Sequence, residues 1–167
     1  MEIGSKQISL DQLRVATFRK GGPDDEAFLV RVYGSTRLEE LALTEWGEAQ
    51  RDAFLTMQFT AQSAHYRQYY PEGEHLIILV DGEPVGRLYV SNNEEEIRIL
   101  DITVLPRHRS AGIGTPIVRE LMAEAAALGK PLSVYVESYN RSRGLFERLG
   151  FVKSGEQGYS YLLEWRP

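Results

Sequence analysis

Apolar residues in the first 70 positions recur mainly at helical spacing. A short apolar run at residues 13–17 predicts a first strand, and residues 27–33 then place their apolar side chains toward one side of a helix. Residues 45–69 continue at helical spacing and stop before Pro71. The pattern therefore predicts one strand followed by two helical regions.

Beyond residue 75 the pattern changes to that of strands. Residues 76–80 and 85–90 are β-rich runs joined by an Asp-Gly turn, which predicts a hairpin. Residues 96–104 carry large apolar side chains on both alternating faces, as expected for a central strand that is covered on both sides. We therefore predict three consecutive strands, the last of them central.

The C-terminal part alternates helices with strands. Residues 117–128 have a single apolar stripe and predict a helix that ends at Gly129. The remaining segments are a strand at 132–136, a short helix at 141–149, a strand that opens at 151 and a last strand at 159–165. This succession predicts an α/β domain.

The composition narrows the class of protein. The chain has 167 residues, 43% of them hydrophobic, with no repeat and no linker, so residues 1–167 are predicted to form a single domain. It has no cysteine, which excludes disulfides, thiolate nucleophiles and Cys-ligated metals, and we expect a cytoplasmic protein. Its longest apolar runs are far below the roughly 20 residues of a membrane span.

Net charge and histidine spacing argue against a nucleic-acid-binding protein and a metal site. A formal net charge of -5 argues against a nonspecific nucleic-acid binder and mildly favours cationic substrates. The three histidines, His65, His75 and His108, lack the spacing of metal ligands, so no metal is expected. No Ser/His/Asp motif is recognisable either.

The strongest chemical signal lies between the central strand and the helix at 117–128. The segment reads Arg109-Ser110-Ala111-Gly112-Ile113-Gly114-Thr115. Two glycines let the backbone approach an anion closely, and the free N–H groups at a helix start favour a pyrophosphate. A Rossmann fingerprint would need glycine in place of Ile117, and a Walker A loop would need lysine after Gly114. For the glycines alone, an ordinary strand-to-helix turn is the alternative.

Two motifs in order resemble those of the GNAT acetyltransferase superfamily. Residues 109–114 fit its R/Q-x-x-G-x-G/A signature, and Asn140, Leu145-Phe146 and Leu149-Gly150-Phe151 fit a second motif. The resemblance is strongest over residues 76–165. It implies a mostly antiparallel, twisted central sheet of about six to seven strands flanked by about four helices.

The resemblance also implies a cofactor site. Acetyl-CoA, the expected acyl donor, would lie between the strands at 96–104 and 132–136. Its pantetheine arm would meet the backbone at Ile102 and Val104, and its pyrophosphate the N–H groups of residues 109–115. Asn140 and Phe146 would lie near the pantetheine end, although Asn140 also suits a helix N-cap.

Members of this superfamily usually transfer the acyl group directly to an amine. Phe146 stands where they commonly have a tyrosine that protonates the departing thiolate, so Tyr139, another hydroxyl or solvent must replace it. We expect an N-acetyltransferase for a primary amine. A noncatalytic acyl-CoA-binding or regulatory domain is the first alternative, and a nucleotide-binding protein the second.

Carboxylates along the central strand are candidates for the general base. Asp101 lies within an apolar run and Glu96 at the strand's mouth, while Glu137 ends the next strand. For Asp101 an ion pair with an arginine is an equal alternative, and Glu96 equally suits a solvated strand end.

The acceptor pocket is expected from the N-terminal half. The candidate residues are Tyr33, Thr36 and Arg37, with Tyr66, Tyr69 and Tyr70 as a second wall. Aromatic rings beside carboxylates would suit an amine, whereas Arg37 would suit an acceptor that carries a carboxylate. We expect a small-molecule or peptide amine, no nucleic-acid or membrane partner, and a monomer or homodimer in which the strand at 159–165 is a candidate edge.

Overall fold

A computed structural model describes Leu10, residues 15–109 and residues 111–167. The helices in these ranges are α1 (Glu26–Ser35), α2 (Leu38–Ala42), α3 (Glu48–Tyr69), α4 (Gly114–Leu128) and α5 (Ser142–Arg148). The strands are β1 (Thr17–Lys20), β2 (Glu74–Val80), β3 (Glu83–Asn92), β4 (Ile97–Val104), β5 (Leu132–Glu137), β6 (Val152–Gln157) and β7 (Ser160–Trp165). None of the helices in the described ranges is long and apolar enough to cross a membrane.

The seven strands form one sheet in the order β1-β2-β3-β4-β5-β7-β6. Neighbouring strands are antiparallel except β4 and β5, which run parallel because α4 returns the chain across the sheet. The predicted α/β fold, with a mostly antiparallel sheet of six to seven strands, is confirmed. The described residues form five helices and not four, because a short helix, α2, lies between the two helical regions predicted at 27–33 and 45–69.

Two strand predictions were wrong in position. The first strand spans Thr17–Lys20 and not residues 13–17, of which 13 and 14 lie outside the described residues. The apolar signal came from residues just before the strand, where Ala16 is buried in the core. The second error concerns β7, which lies between β5 and β6 and is not an edge, so β6 forms that edge of the sheet.

A β-bulge interrupts the central strand. Val90 of β3 pairs with Ile99 of β4, but the preceding Tyr89 pairs with Asp101. Leu100 is therefore the extra residue, and an extra residue bends its strand and increases the local twist. The alternation of β4 is shifted by one position after this point.

The bulge lies where β4 and β5 separate. The two strands are paired only from Ile97 opposite Leu132 to Ile99 opposite Val134, whereas β4 stays paired with β3 as far as Val104. From residue 100 onward the edge of β4 that faces β5 has no strand partner, so its backbone polar groups must be satisfied by side chains or by a ligand.

Both faces of the sheet are covered. On one face the apolar stripe of α4, including Ile117, Val118 and Leu121, is fully buried against the strands. On the other face α1 and α3 form a smaller apolar cluster over β2, centred on Ile77. The splayed halves of β4 and β5 thus lie in the middle of a sheet that is covered by helices on both sides.

Candidate active site

A cleft of about 250 Å³ lies where β4 and β5 diverge. Nine of the residues singled out in the sequence line it: Tyr33, Thr36, Arg37, Tyr66, Asp101, Ile102, Glu137, Asn140 and Phe146. They come from α1, the α1–α2 junction, α3, β4, the end of β5, and α5 with the residues before it, so the fold brings together residues more than 100 positions apart in the chain.

Asp101 belongs to a polar network on the floor of the cleft. Arg87 Nε donates to Oδ2 of Asp101 at 2.6 Å, and Thr103 Oγ1 donates to Oδ1 at 2.7 Å. Arg87 is only 1% exposed, and its Nη2 donates to Gln62 Oε1 at 2.6 Å. A buried guanidinium requires such partners, because an unpaired buried charge is strongly destabilising. The ion pair considered as an alternative for Asp101 is present, and the carboxylate nevertheless lines the cleft.

A second ion pair crosses the cleft from the α1–α2 junction to the end of β5. Arg37 Nη1 lies 2.8 Å from Glu137 Oε1 and 2.9 Å from Glu40 Oε1. Its guanidinium lies 5.4 Å from the centre of the Tyr33 ring, whose hydroxyl donates to Gln58 Oε1 at 2.9 Å. Burial lowers the pKa of Arg37, but Tyr33, Glu137 and Glu40 together raise it by more, so the guanidinium stays charged.

Tyr66 of α3 contacts the bulge from the side of the cleft. Its hydroxyl donates to the carbonyl oxygen of Leu100 at 2.9 Å. Burial, followed by the charge of Asp101, raises the pKa of Tyr66 above its usual value, so this hydroxyl remains a donor. The bond satisfies a carbonyl at the position where the ladder with β5 has ended.

The start of α5 supplies the far wall of the cleft. Asn140 Oδ1 accepts a hydrogen bond from the backbone N–H of Ser142 at 2.9 Å, so Asn140 caps the first turn of this helix. Phe146 is 1% exposed and packs edge-on against Phe151, with ring centroids 5.1 Å apart. Tyr139 does not line the cleft; it is 64% exposed, and the nearby Glu137 raises the pKa of its hydroxyl.

The glycine loop lies beside α5, next to the cleft. Gly112 has a φ of +74°, and a Cβ placed on it would meet no atom within 4 Å, so the backbone there is open to an approaching ligand. Gly114 is the first residue of α4, and a Cβ on it would lie 3.9 Å from Leu145 of α5. Ser110 lies outside the described residues.

The rest of the loop provides free donors and positive charge. No side chain caps the first N–H groups of α4, which begin after the buried Ile113 and include Thr115. Arg109 is exposed, and its Nε donates to the carbonyl oxygen of Val104 at 3.0 Å. Ala111 is exposed as well. Among the described loop residues none lines the cleft itself.

Among the predicted catalytic and acceptor-site residues, Glu96, Tyr69 and Tyr70 lie away from the cleft. Glu96 precedes the paired end of β4, where it forms an ion pair with Arg98 at 2.8 Å and accepts a hydrogen bond from Ser133 at 2.9 Å. Tyr70 accepts a hydrogen bond from the same Arg98 at 3.2 Å. Glu96, Tyr70 and their partners form a network at the closed end of the β4–β5 pair, opposite to the splay.

The structure adds cleft residues that the sequence did not mark as functional. They include Gln62, Thr103, Tyr135, Ser142 and Ser160. Thr103 and Tyr135 each stand in an apolar strand, and a polar group at such a position was a usable signal. The two serines carried no signal, because serine is common at helix starts and strand ends.

Residues 36–151 match the model of the acetyltransferase (GNAT) family. The match covers more than half of the chain and includes the splay, the glycine loop and α5. The chain belongs to the GNAT acetyltransferase family. Members of this family transfer an acetyl group from acetyl-CoA. A comparison with curated protein sequences gives no significant match.

Solved structures share the fold over nearly the whole chain. PaiA N-acetyltransferase from Thermoplasma acidophilum, solved in complex with coenzyme A, is 14% identical, with 91% of this chain and 99% of that chain covered and a TM-score of 0.67. An acetyltransferase from Thermus thermophilus is 18% identical, with 93% and 100% covered and a TM-score of 0.64. Ard1 from Thermoplasma volcanium is 18% identical, with 91% and 97% covered and a TM-score of 0.61.

Proposed function

We propose that residues 1–167 form one catalytic domain that transfers the acetyl group of acetyl-CoA to a primary amine of a small molecule or peptide. The observation that carries this proposal is the cleft between the unpaired halves of β4 and β5, in which a carboxylate, Asp101, lies next to the free edge of the strand. Membership of the acetyltransferase family supports the type of reaction.

The residues around the splay suit the parts of acetyl-CoA. The free edge of β4 offers backbone groups at Ile102 and Val104 to the amides of the pantetheine arm. Open backbone at Gly112, the uncapped start of α4 and the guanidinium of Arg109 suit the pyrophosphate. Asn140 and Phe146 line the cleft beside these groups and would contact the reactive end.

When bound, acetyl-CoA would supply the acetyl group as a thioester. Asp101 would hold the acceptor's ammonium, because a carboxylate oxygen that already accepts one hydrogen bond can accept a second. The ammonium would first pass one proton to Asp101 and from there to solvent, which frees the nitrogen lone pair. The nitrogen would then take the acetyl group from sulfur, and the second proton released by the nitrogen would end on the thiolate. Of the three candidate carboxylates, Glu96 lies outside the cleft and Glu137 is paired with Arg37 at 2.8 Å, so we assign the binding and deprotonation of the ammonium to Asp101, which lies beside the free edge of β4.

The second candidate is a domain that binds acyl-CoA without turnover. Phe146 favours it, because this buried ring has no hydroxyl to protonate the departing thiolate. Stabilisation by acetyl-CoA, with no release of CoA in the presence of any amine, would select this candidate.

The first test is thermal unfolding with acetyl-CoA, CoA, NAD and ATP. A ligand at 100 times its dissociation constant adds about 2.7 kcal/mol of stability, which is a readily measured rise in Tm. We expect acetyl-CoA and CoA to raise the Tm, and NAD and ATP to leave it unchanged. A rise with NAD or ATP alone would contradict the assignment of the cofactor.

A substitution at Gly112 then tests the position of the pyrophosphate. Gly112→Asp should remove the stabilisation by acetyl-CoA while leaving the fold intact, because it puts negative charge where phosphate must approach. The matched control is Gly82→Asp in the β2–β3 turn, where φ is +80° and a Cβ also has open space. Unchanged acetyl-CoA binding in Gly112→Asp would refute the loop assignment.

A further inference from the structure

The acceptor side of the cleft has an unequal balance of charge. Among the described residues that line the cleft, Asp101 and Glu137 carry carboxylates, and Arg37 alone carries a guanidinium. Beneath the surface of the cleft, the positive charge of Arg87 offsets the negative charge of Asp101, with 2.6 Å between Nε and Oδ2. Arg37 has two carboxylates within 2.9 Å, those of Glu137 and Glu40. The charges that reach an acceptor therefore sum to an excess of negative charge.

Arg37 is also fixed in place. Its guanidinium stacks near the Tyr33 ring, and its Nη1 serves both carboxylates. Its Nε is buried with no partner, and an unsatisfied buried donor is destabilising, so the two ion pairs must outweigh that loss. To bind another anion, Arg37 would have to be released by Glu137.

An acceptor carboxylate would therefore be disfavoured in two ways. It would compete with Glu137 for Arg37, and it would add a like charge to a site that already has negative excess. An ammonium has the opposite effect, because it offsets the excess beside Asp101 and the rings of Tyr66 and Tyr135.

We propose that the Arg37–Glu137 ion pair determines acceptor specificity: it selects amines that have no carboxylate next to the amino group, and it rejects α-amino acids. This inference rests on the proposed acetyl transfer to an amine. It assigns to Arg37 the opposite role from a carboxylate receptor, because Glu137 already occupies the guanidinium.

The test compares matched acceptors that differ only by the α-carboxylate. Suitable pairs are tyramine with tyrosine, histamine with histidine, phenethylamine with phenylalanine and agmatine with arginine. For the wild type we expect kcat/KM to favour the amine at least tenfold in each pair that reacts. A second readout, which does not need turnover, is binding of each acceptor to the CoA-saturated protein, measured as a rise in Tm.

Glu137→Gln should weaken this discrimination by about tenfold, because it frees Arg37 for the acceptor carboxylate and removes a repelling charge; tenfold corresponds to about 1.4 kcal/mol. Glu137→Asp, which keeps the charge, should retain the wild-type preference. Glu147→Gln is the matched control: it removes a carboxylate paired with Arg143 at 3.1 Å on α5, outside the cleft. The double variant Glu137→Gln with Arg37→Met should not show the increased kcat/KM for carboxylated acceptors that is expected of Glu137→Gln alone.

The outcomes separate the inference from the proposed function. Amines that raise the Tm of the CoA complex but are never acetylated would contradict the proposed acetyl transfer. The preference for amines over carboxylated acceptors could still be measured from the rise in Tm. Carboxylated acceptors that bind or react as well as their amines would overturn the inference, even with full activity. So would an unchanged preference in Glu137→Gln, or a panel in which no amine binds.

Discussion

At the scale of single residues, Phe146 is the position at which this chain departs from the second GNAT motif. The ring occupies the cleft wall where a hydroxyl is expected, and its burial against Phe151 fixes its position. The departing thiolate must then take its proton from elsewhere. Ser142 lies one helical turn before Phe146 on the same side of α5 and also lines the cleft.

Phe146→Tyr tests whether the missing hydroxyl limits the rate. We expect kcat to stay the same or to rise, by up to about a hundredfold if protonation of the thiolate is limiting. The measurement is acceptor-dependent release of CoA across a range of pH. Phe151→Tyr, in the partner ring outside the cleft, is the control and should change stability but not kcat. A clear loss of turnover in a folded Phe146→Tyr protein would contradict this explanation.

The same scale shows what sequence reasoning could find. Asp101 was recognisable because a carboxylate in an apolar strand needs a reason, and Phe146 because the motif around it is specific. The partners could not be identified, because nothing in the local sequence tells which arginine meets Asp101. Arg37 and Glu137 are 100 positions apart, so only the folded chain shows that they pair.

At the scale of elements, the close approach of β3 to β4 determines the geometry of the cleft. A Cβ on Gly86 would overlap the carbonyl oxygen of Thr103 and lie 3.0 Å from the Cα of Val104. Glycine is therefore required at this position of β3. The contact holds the second half of β4 against β3, on the side away from β5.

Gly86→Ala should destabilise the fold and disturb the cleft together. We expect a loss of about 1–3 kcal/mol in the free energy of unfolding, since backbone atoms must shift to admit the methyl group. The stabilisation by acetyl-CoA should fall as well. Both are measured by urea unfolding with and without acetyl-CoA. Gly155→Ala in β6, where a Cβ meets atoms only at 3.8 Å and beyond, should have little effect; equal effects would refute the argument.

The elements also show which parts of the secondary structure could be predicted from the sequence and which could not. The strands and helices after residue 75 followed from alternation, glycines and prolines. The bulge at Leu100 did not, because apolar residues on both faces of β4 hide a shift of one position. The helix α2 was missed as well, because its five residues are too few to show a helical period of apolar positions.

At the scale of the whole molecule, one sheet connects the two apolar clusters. The larger cluster packs Leu76 and Ile78 of β2 under α4, and the smaller one packs the intervening Ile77 under α1 and α3. Neighbouring residues of one strand thus belong to different clusters. We therefore expect the N-terminal helices and the C-terminal half to unfold together.

The two tryptophans can report on this cooperativity. Trp46 lies before α3 against Phe54, with ring centroids 5.0 Å apart, and Trp165 ends β7. In the variants Trp165→Phe and Trp46→Phe, fluorescence follows one region at a time. We expect the same urea midpoint in both, and the same midpoint by far-ultraviolet circular dichroism. An earlier transition at Trp46 would indicate two separate units.

Most residues of the two sides of the cleft come from separate stretches of the gene. Residues 33–66 contribute the helical wall, whereas residues 100–103 and 134–146 contribute the splay and α5. If the proposed sites are correct, substitutions in the first stretch would retarget a duplicated copy to another acceptor while donor binding is inherited unchanged. Glu137 limits such changes of acceptor. A substitution of Arg37 would leave the carboxylate of Glu137 without its partner, so the two positions are expected to change together.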